Sequence, residues 1–324
     1  MDTPYAQLTP DLILSAIESL DLLPTGGLLA LNSYENRVYQ VAMEDGSFLI
    51  AKFYRPQRWT DAAIDEEHRF SDELAAAEIS VVAPLKIEGK SLFEFDDYRF
   101  ALFPRQGGHP PNLENEDDME VLARTIARLH VCGQAQEFVH REALTVERLG
   151  WQCRSFLLDS DFVPLDIADA YRTTTEHLLE SIEHTFAEVN PGTRRIHGDC
   201  HMGNVLWRDD TPHFVDFDDC LSGPPIQDLW MLLSGERAEQ TYQLSVLLDA
   251  YQEFADFEVA SLALIEPLRT LRIMHHAAWI GRRWQDPAFP MAFPDFDSAR
   301  YWSNHLLALR EQQARLTEPP LQYL

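Results

Sequence analysis

The stretch Ile196-His197-Gly198-Asp199-Cys200-His201-Met202-Gly203-Asn204-Val205-Leu206, followed by His213-Phe214-Val215-Asp216-Phe217-Asp218-Asp219, decides the reading of this chain. Asn204 stands five residues after Asp199, and Asp216 seventeen after it. Val205-Leu206-Trp207 and His213-Phe214-Val215 are short apolar runs, and Arg208-Asp209-Asp210-Thr211-Pro212 between them is rich in turn formers. That pattern predicts a β-hairpin. The hairpin would bring Asn204 and Asp216 to the same end of the strand pair. One hard cation could then touch an amide oxygen and a carboxylate at once.

Each residue also has a plainer reading. An acidic turn before a strand is ordinarily a solvated cap. His197, Cys200 and His201 could suggest a zinc cluster, but no second Cys or His pair follows at ligand spacing. Taken together in this order, Asp199, Asn204 and Asp216 suit phosphoryl transfer. One carboxylate orients the attacking hydroxyl and accepts its proton, while a carboxylate and an amide oxygen hold Mg²⁺ on the phosphates. Protein kinases present the same order of groups.

The chain has 324 residues, enough for two lobes, and its 45% hydrophobic content can fill sizeable cores. With 53 acidic against 26 basic residues the formal charge is −27. Such a surface repels nucleic-acid backbones and attracts cationic metabolites or basic peptide segments. Cys132, Cys153, Cys200 and Cys220 form no CxxC pair, which suits reduced thiols in a cytoplasmic protein. Neither a signal peptide nor a membrane-spanning run is evident, and there is no internal repeat.

Thr9-Pro10-Asp11 opens an expected first helix, ended by Pro24 and Gly26-Gly27. Strands are expected over 28–31, 37–43, 48–54, 81–85, 91–95 and 98–104, with a helix over 61–77. Lys52 is the one charge in the run Phe48 to Tyr54, so a buried ammonium there needs a partner. Glu67 is the favoured partner and Glu66 the alternative, because the two point about 100° apart on a helix. His109 to Asn115 reads as a Pro-rich linker, and helices are expected over 117–131, 151–158 and 167–189 and through most of the chain after Tyr242. The late aromatics Trp284, Phe289, Phe293, Phe296, Tyr301 and Trp302 could pack as core or could line an ammonium site with nearby carboxylates. Pro319-Pro320 marks a loose tail.

His197-Gly198-Asp199-x-His201-x-Gly203-Asn204-Val205-Leu206, Val215-Asp216-Phe217-Asp218-Asp219 and Asp228-Leu229 together resemble the aminoglycoside phosphotransferase/choline kinase superfamily. Asn32-Ser33-Tyr34-Glu35-Asn36-Arg37-Val38-Tyr39 and Phe53-Tyr54-Arg55-Pro56-x-Arg58-Trp59 carry a further likeness to its bacterial stress-response serine/threonine protein kinases. The resemblance covers nearly the whole chain. It implies an α+β, two-lobed protein-kinase-like fold: a β-sheet lobe over 1–104, a hinge over 105–115 and a helical lobe over 116–324. It further implies ATP and Mg²⁺ as cofactors, Asp199 and Asp216 as catalytic residues, and Asn204 and Asp216 as metal ligands. Lys52, steadied by Glu67, would hold the α- and β-phosphates, and the backbone near Phe103 and Arg105 would hold the adenine edge. Asp218 would support the site, and Asp228 would tie a helix N-terminus to the catalytic loop. The loop at 32–36 departs from the kinase pattern, since Gly-x-Gly-x-x-Gly is absent. Ser33 could donate to a phosphate, could itself be phosphorylated, or could sit in an ordinary turn. The expected acceptor is a protein serine or threonine, including the chain itself, with a choline-, homoserine- or aminoglycoside-type small molecule as the alternative. A pseudokinase scaffold is a third possibility, which the presence of Lys52, Asp199, Asn204 and Asp216 argues against. A monomer is expected.

Overall fold

The computed structural model describes residues 4–324. Helix α1 (Pro10–Glu18) starts where the sequence places it, with the Thr9 hydroxyl accepting from the Leu12 amide. It packs Ile13, Ala16 and Ile17 onto one face of a five-stranded antiparallel sheet. The strands are β1 (Pro24–Ala30), β2 (Arg37–Met43), β3 (Phe48–Phe53), β4 (Phe93–Phe95) and β5 (Tyr98–Pro104), in the order β1-β2-β3-β5-β4. The register is set by alternation: Val41, Ala51, Phe53, Phe100 and Leu102 all face α1. Pro24 to Gly27 do not lie in a helix-ending turn as expected. They form the start of β1, with a register shift between Pro24 and Leu28.

Residues 81–85 are a second correction, since no strand forms there. Val81 makes a single parallel bridge to Phe214, and the Leu85 amide donates to the Leu102 carbonyl at 2.7 Å. Pro84 interrupts the run and has no N–H to continue a ladder.

Helix α2 (Asp61–Ala76) crosses behind the sheet. Its Glu66 turns away from Lys52 and accepts three backbone N–H bonds, from Val139, His140 and Arg141, at 2.7–2.9 Å. This carboxylate fastens α2 to the loop after α3 (Glu116–Gln134).

The remainder is mostly helical. Helices α4 (Gln152–Asp159), α5 (Leu165–Val189), α6 (Ile226–Trp230), α7 (Arg237–Tyr251), α8 (Ile265–Arg282), α9 (Ala288–Ala292) and α10 (Ala299–Arg315) surround two short antiparallel pairs. One pair is β6 (Arg194–Ile196) with β9 (Leu221–Gly223), and the other is β7 (Val205–Arg208) with β8 (Thr211–Phe214). Gly133 in α3 lets that helix lie against β6, since a Cβ there would meet the Arg195 carbonyl oxygen at 2.1 Å. A π-helical turn, Glu147–Trp151, precedes α4, so helical structure begins earlier than the sequence suggests. Trp302, Phe289 and Phe296 are core between α5, α8 and α10. The tail is not loose: Leu321 is buried, and Arg237 donates to the Pro320 carbonyl at 2.9 Å. No helix of the described residues is long and apolar enough to cross a membrane.

Burial raises the pKa of Glu66, but the three amide donors outweigh it and hold the carboxyl below its ordinary range. Glu66→Gln should therefore lower unfolding free energy near neutral pH by about 2 kcal/mol. A depressed carboxyl pKa gives stability that is complete above the unfolded value and is lost as pH falls through the folded one. The gap between wild type and Glu66→Gln should thus narrow below about pH 4, as read by urea unfolding at several pH values.

Candidate active site

The hairpin forms as the sequence predicts, pairing Val205 with Phe214 and Arg208 with Thr211. The Val215 amide donates to the Asn204 carbonyl at 3.0 Å, so Asn204 and Asp216 emerge side by side. Asn204 spends its amide nitrogen on Asp199, with 3.0 Å to the backbone carbonyl and 3.3 Å to Oδ2. That fixes the amide and turns Oδ1 the other way. Asp216 holds a left-handed backbone (φ 58°), unusual for a residue other than glycine, and leaves 54% of its side chain exposed. The donor set is two side-chain oxygens on adjacent strand ends, which suits a hard divalent cation.

Three groups brace the loop before the hairpin. Asp228, at the head of α6, accepts from the amides of His197 and Gly198, both at 2.8 Å, and shares a 3.0 Å hydrogen bond with buried His130. The Gln227 amide donates to the Gly198 carbonyl at 2.9 Å. Gly198 has φ +83°, and a Cβ there would meet the Asp219 carbonyl oxygen at 2.4 Å, so only glycine fits.

Asp199 receives Arg272 from α8 on Oδ1 at 2.7 Å. Nδ1 of His201 accepts from the Gly203 amide at 2.9 Å, which leaves the proton on Nε2, 3.4 Å from Asp199 Oδ2. Burial opposes ionisation of Asp199, but the hydrogen bond from His201 and the charge of Arg272 prevail and hold the carboxyl far below its usual range.

Lys52 lies buried under the sheet, 3.2 Å from Glu67, 3.1 Å from Asp218 and 3.3 Å from Asp216. Glu67 is thus the helix partner, as expected. The sequence undervalued Asp218, which is the centre of a buried charge cluster. Its carboxylate pairs with Lys52 and Arg58, and Arg141 donates to its backbone carbonyl. Burial opposes charge on Lys52 and on Asp218 alike. The mutual fields, with those of Arg58, Glu67 and Arg141, keep Lys52 protonated and Asp218 ionised.

Two cavities meet at these residues. The first, about 340 Å³, has apolar walls from Val38, Ile50, Val82, Phe103, Leu206 and Val215, and Lys52, Asn204 and Asp216 lie along it. Ser33 lines the mouths of both cavities. Phe103, Pro104 and Gln106 line the first cavity, while the Arg105 side chain between them points elsewhere, donating to Gln40 at 2.7 Å and stacking on Phe48. The second cavity, about 600 Å³, opens on Asp199 and is lined by α8 residues Arg272, His275, His276 and Trp279.

A second charge cluster ties the 32–36 loop to the helical half. Glu35 accepts from Trp279 Nε1 at 2.6 Å and pairs with Arg283 and Arg55. Asp286 binds Arg55 and Arg37. Tyr34 packs on Phe293 with ring centres 5.5 Å apart. Glu35, Asp286 and Arg272 went unassigned in the sequence. For Arg272 a signal existed: with His276 and Trp279 it keeps the four- and three-residue spacing of one helix face.

The chain belongs to the phosphotransferase enzyme family (APH), which matches residues 28–264. It is therefore a kinase-type enzyme of that family. Stress response kinase A of Escherichia coli is 42% identical over 318 residues, covering 98% of this chain and 96% of that one. Serine/threonine protein kinase RdoA of Salmonella typhimurium shows the same identity and coverage. Among solved structures, amicoumacin kinase hAmiN in complex with AMP-PNP, Ca²⁺ and Ami superposes with TM-score 0.74 at 19% identity, covering 94% of this chain and 93% of that one. Choline kinase LicA of Streptococcus pneumoniae gives 0.64 at 14% identity, covering 94% and 98%. At these identities the solved structures establish the shared fold.

Removing Lys52 would strand Glu67 and Asp218 in a buried site. Lys52→Met should destabilise the protein by about 3–5 kcal/mol, and adding Glu67→Gln should recover part of that loss. Chemical denaturation of the two single variants and the double variant measures the coupling.

Proposed function

We propose that this chain is an ATP- and Mg²⁺-dependent kinase that phosphorylates serine or threonine hydroxyls of proteins, itself included, in a bacterial stress response. The observation that carries the chemistry is the convergence of Asp199, Asn204, Asp216 and Lys52 where the two cavities meet. The acceptor class is supported by 42% identity to relatives named stress response kinase A and serine/threonine protein kinase RdoA.

The nucleotide suits the first cavity, whose apolar walls match a planar base. Phe103 would pack on that base, and the backbone from Phe103 through Arg105 to Gln106 would meet its polar edge. Residues 105–115 then act as the hinge between the sheet lobe and the helical lobe. Lys52 supplies fixed positive charge to the phosphates, and Glu67 and Asp218 keep it charged and aimed. Asn204 Oδ1 and the Asp216 carboxylate would hold the divalent ion. When bound, that ion neutralises phosphate charge and fixes the phosphates in line with the acceptor. Ser33, at the shared mouth, would donate its hydroxyl to a phosphate.

Asp199 orients the acceptor hydroxyl and takes its proton. Its low basicity suits a loose phosphoryl-transfer transition state, in which the nucleophile needs aiming more than early deprotonation. Arg272 and His201 act through Asp199 by fixing its rotamer. The segment from Asp219 to β9 is too short to fold as a phosphorylation-gated loop.

Transfer of label from γ-labelled ATP to the chain or to a serine-containing protein, lost in Asp199→Ala, tests this reading. The variant should fold and lose about 10²–10⁴ in turnover. A wild-type rate in Asp199→Ala, or label only on amino alcohols, would sink it. Arg272→Ala should cut kcat about tenfold or more while leaving KM for ATP within about twofold, and Arg272→Lys should recover part of the loss. Steady-state kinetics with both substrates varied separates the two parameters.

A further inference from the structure

The formal charge of −27 suggests a cationic acceptor, but one wall of the second cavity carries arginines and histidines and no carboxylate. The second cavity has two unlike sides. Its carboxylates are already engaged: Asp218 and Asp219 with Arg58, Asp218 with Lys52, and Glu35 with Arg55, Arg283 and Trp279. Asp199 and Asp216 belong to the transfer chemistry proposed above. The opposite wall, from α8 and the turn before α4, presents Arg148, Arg272, His275 and His276 and contributes no carboxylate to the lining.

Two of these groups have unused donors. Arg148 pairs through Nη2 with Glu142, but its Nη1 is buried without a hydrogen-bond partner. A buried guanidinium N–H left unpaired costs free energy, and rotation of this side chain, which is 24% exposed, would bring that N–H to a ligand oxygen and recover it. His275 makes no hydrogen bond among the described residues. Burial, then the charges of Arg148, Arg282, Arg283 and Arg58, push its pKa down to about 3. It is neutral at physiological pH, with one N–H to give. Each carboxylate of the lining already faces a cation, so the donors left without a protein partner are on this side, where an anion can be received.

We propose that the acceptor carries an anionic group, a carboxylate or a phosphate, beyond its reactive hydroxyl, and that Arg148 and His275 bind that group while Asp199 holds the hydroxyl. This rests on the kinase reading of Asp199 and specifies its substrate: a serine or threonine flanked by acidic residues rather than basic ones. A small hydroxy acid offers the same chemistry from a different source.

The test uses the full chain with Mg²⁺ and γ-labelled ATP. Serine peptides differing only in Asp, Ala or Lys beside the serine form one set, and hydroxy acids against amino alcohols form another. The Asp peptide should exceed the Ala peptide in kcat/KM by about tenfold, and the Lys peptide should fall below both. Arg148→Gln should collapse the Asp-to-Ala ratio towards one, a ratio that a general loss of activity does not mimic. Preference for the Lys peptide, or a ratio unchanged in Arg148→Gln, would overturn the proposal. Label on hydroxy acids alone would keep the anion site and remove the protein-acceptor reading. A fluorescent Asp peptide with alanine in place of the serine reads the site without turnover, by anisotropy. Binding about tenfold tighter than its neutral counterpart supports the site even where no transfer is seen, and equal binding refutes it.

Discussion

A single buried ammonium constrains much of this structure. Lys52 enters the interior on β3, where an unpaired charge would cost several kcal/mol. Glu67 answers it from α2, and Asp218 and Asp216 answer it from the turn after β8. Those acids in turn need cations, which Arg58 and Arg141 provide. Each added partner fixes another segment. Arg58 fixes the approach to α2, Arg141 the loop after α3, and Asp218 the segment leading to β9. Sheet, helix and hairpin are thus joined by one connected set of charges, in which removing one member leaves its partners short of a counter-charge.

The catalytic loop is held by a different principle. Asp228, Gln227 and His130 pair with backbone groups of His197 and Gly198 or with one another, and the loop itself carries no buried cation. Asp228 has its two oxygens on successive amides, so it stabilises a turn that Gly198 alone makes possible. The backbone carrying Asp199 is braced by these bonds, while its side chain is aimed by Arg272 from another helix. On the proposed kinase reading, such preorganisation spares the reaction the cost of arranging the groups at the moment of transfer.

The sequence showed the parts of this architecture that depend on local pattern. β2, β5, the β7–β8 hairpin and the start of α1 fell where alternation, turn residues and the Thr9 cap placed them. Helix geometry allowed only one of Glu66 and Glu67 to face Lys52 and left Glu66 open as the alternative to the favoured Glu67; the fold selects Glu67 because Glu66 accepts from amides beyond α3. Residues 81–85 misled because the β-branched run is cut by Pro84, and the loose reading of the tail overlooked the apolar anchor Leu321. Glu35, Asp286 and Arg272 act through partners far away in sequence; Glu35 and Trp279 are 244 residues apart. A surface acid and one that bridges two halves of a fold look alike until the fold is known.

The loop at 32–36 shows how the same mechanical need can be met by other means. A glycine-rich turn covers phosphates by backbone freedom, and this loop has no glycine. Its conformation is imposed from outside. Asn36 Oδ1 accepts from the Arg55 amide at 3.1 Å, Tyr5 donates to the Glu35 carbonyl at 3.1 Å, and the Glu35 side chain is anchored on α8. The loop is therefore a wall of both cavities, and its anchors Trp279 and Arg283 lie in the helical half. Opening one cavity by moving this loop must disturb the other, because Asn32, Ser33 and Asn36 border both. The two cavities are thereby mechanically linked, through contacts that a freely flexing glycine loop would not need.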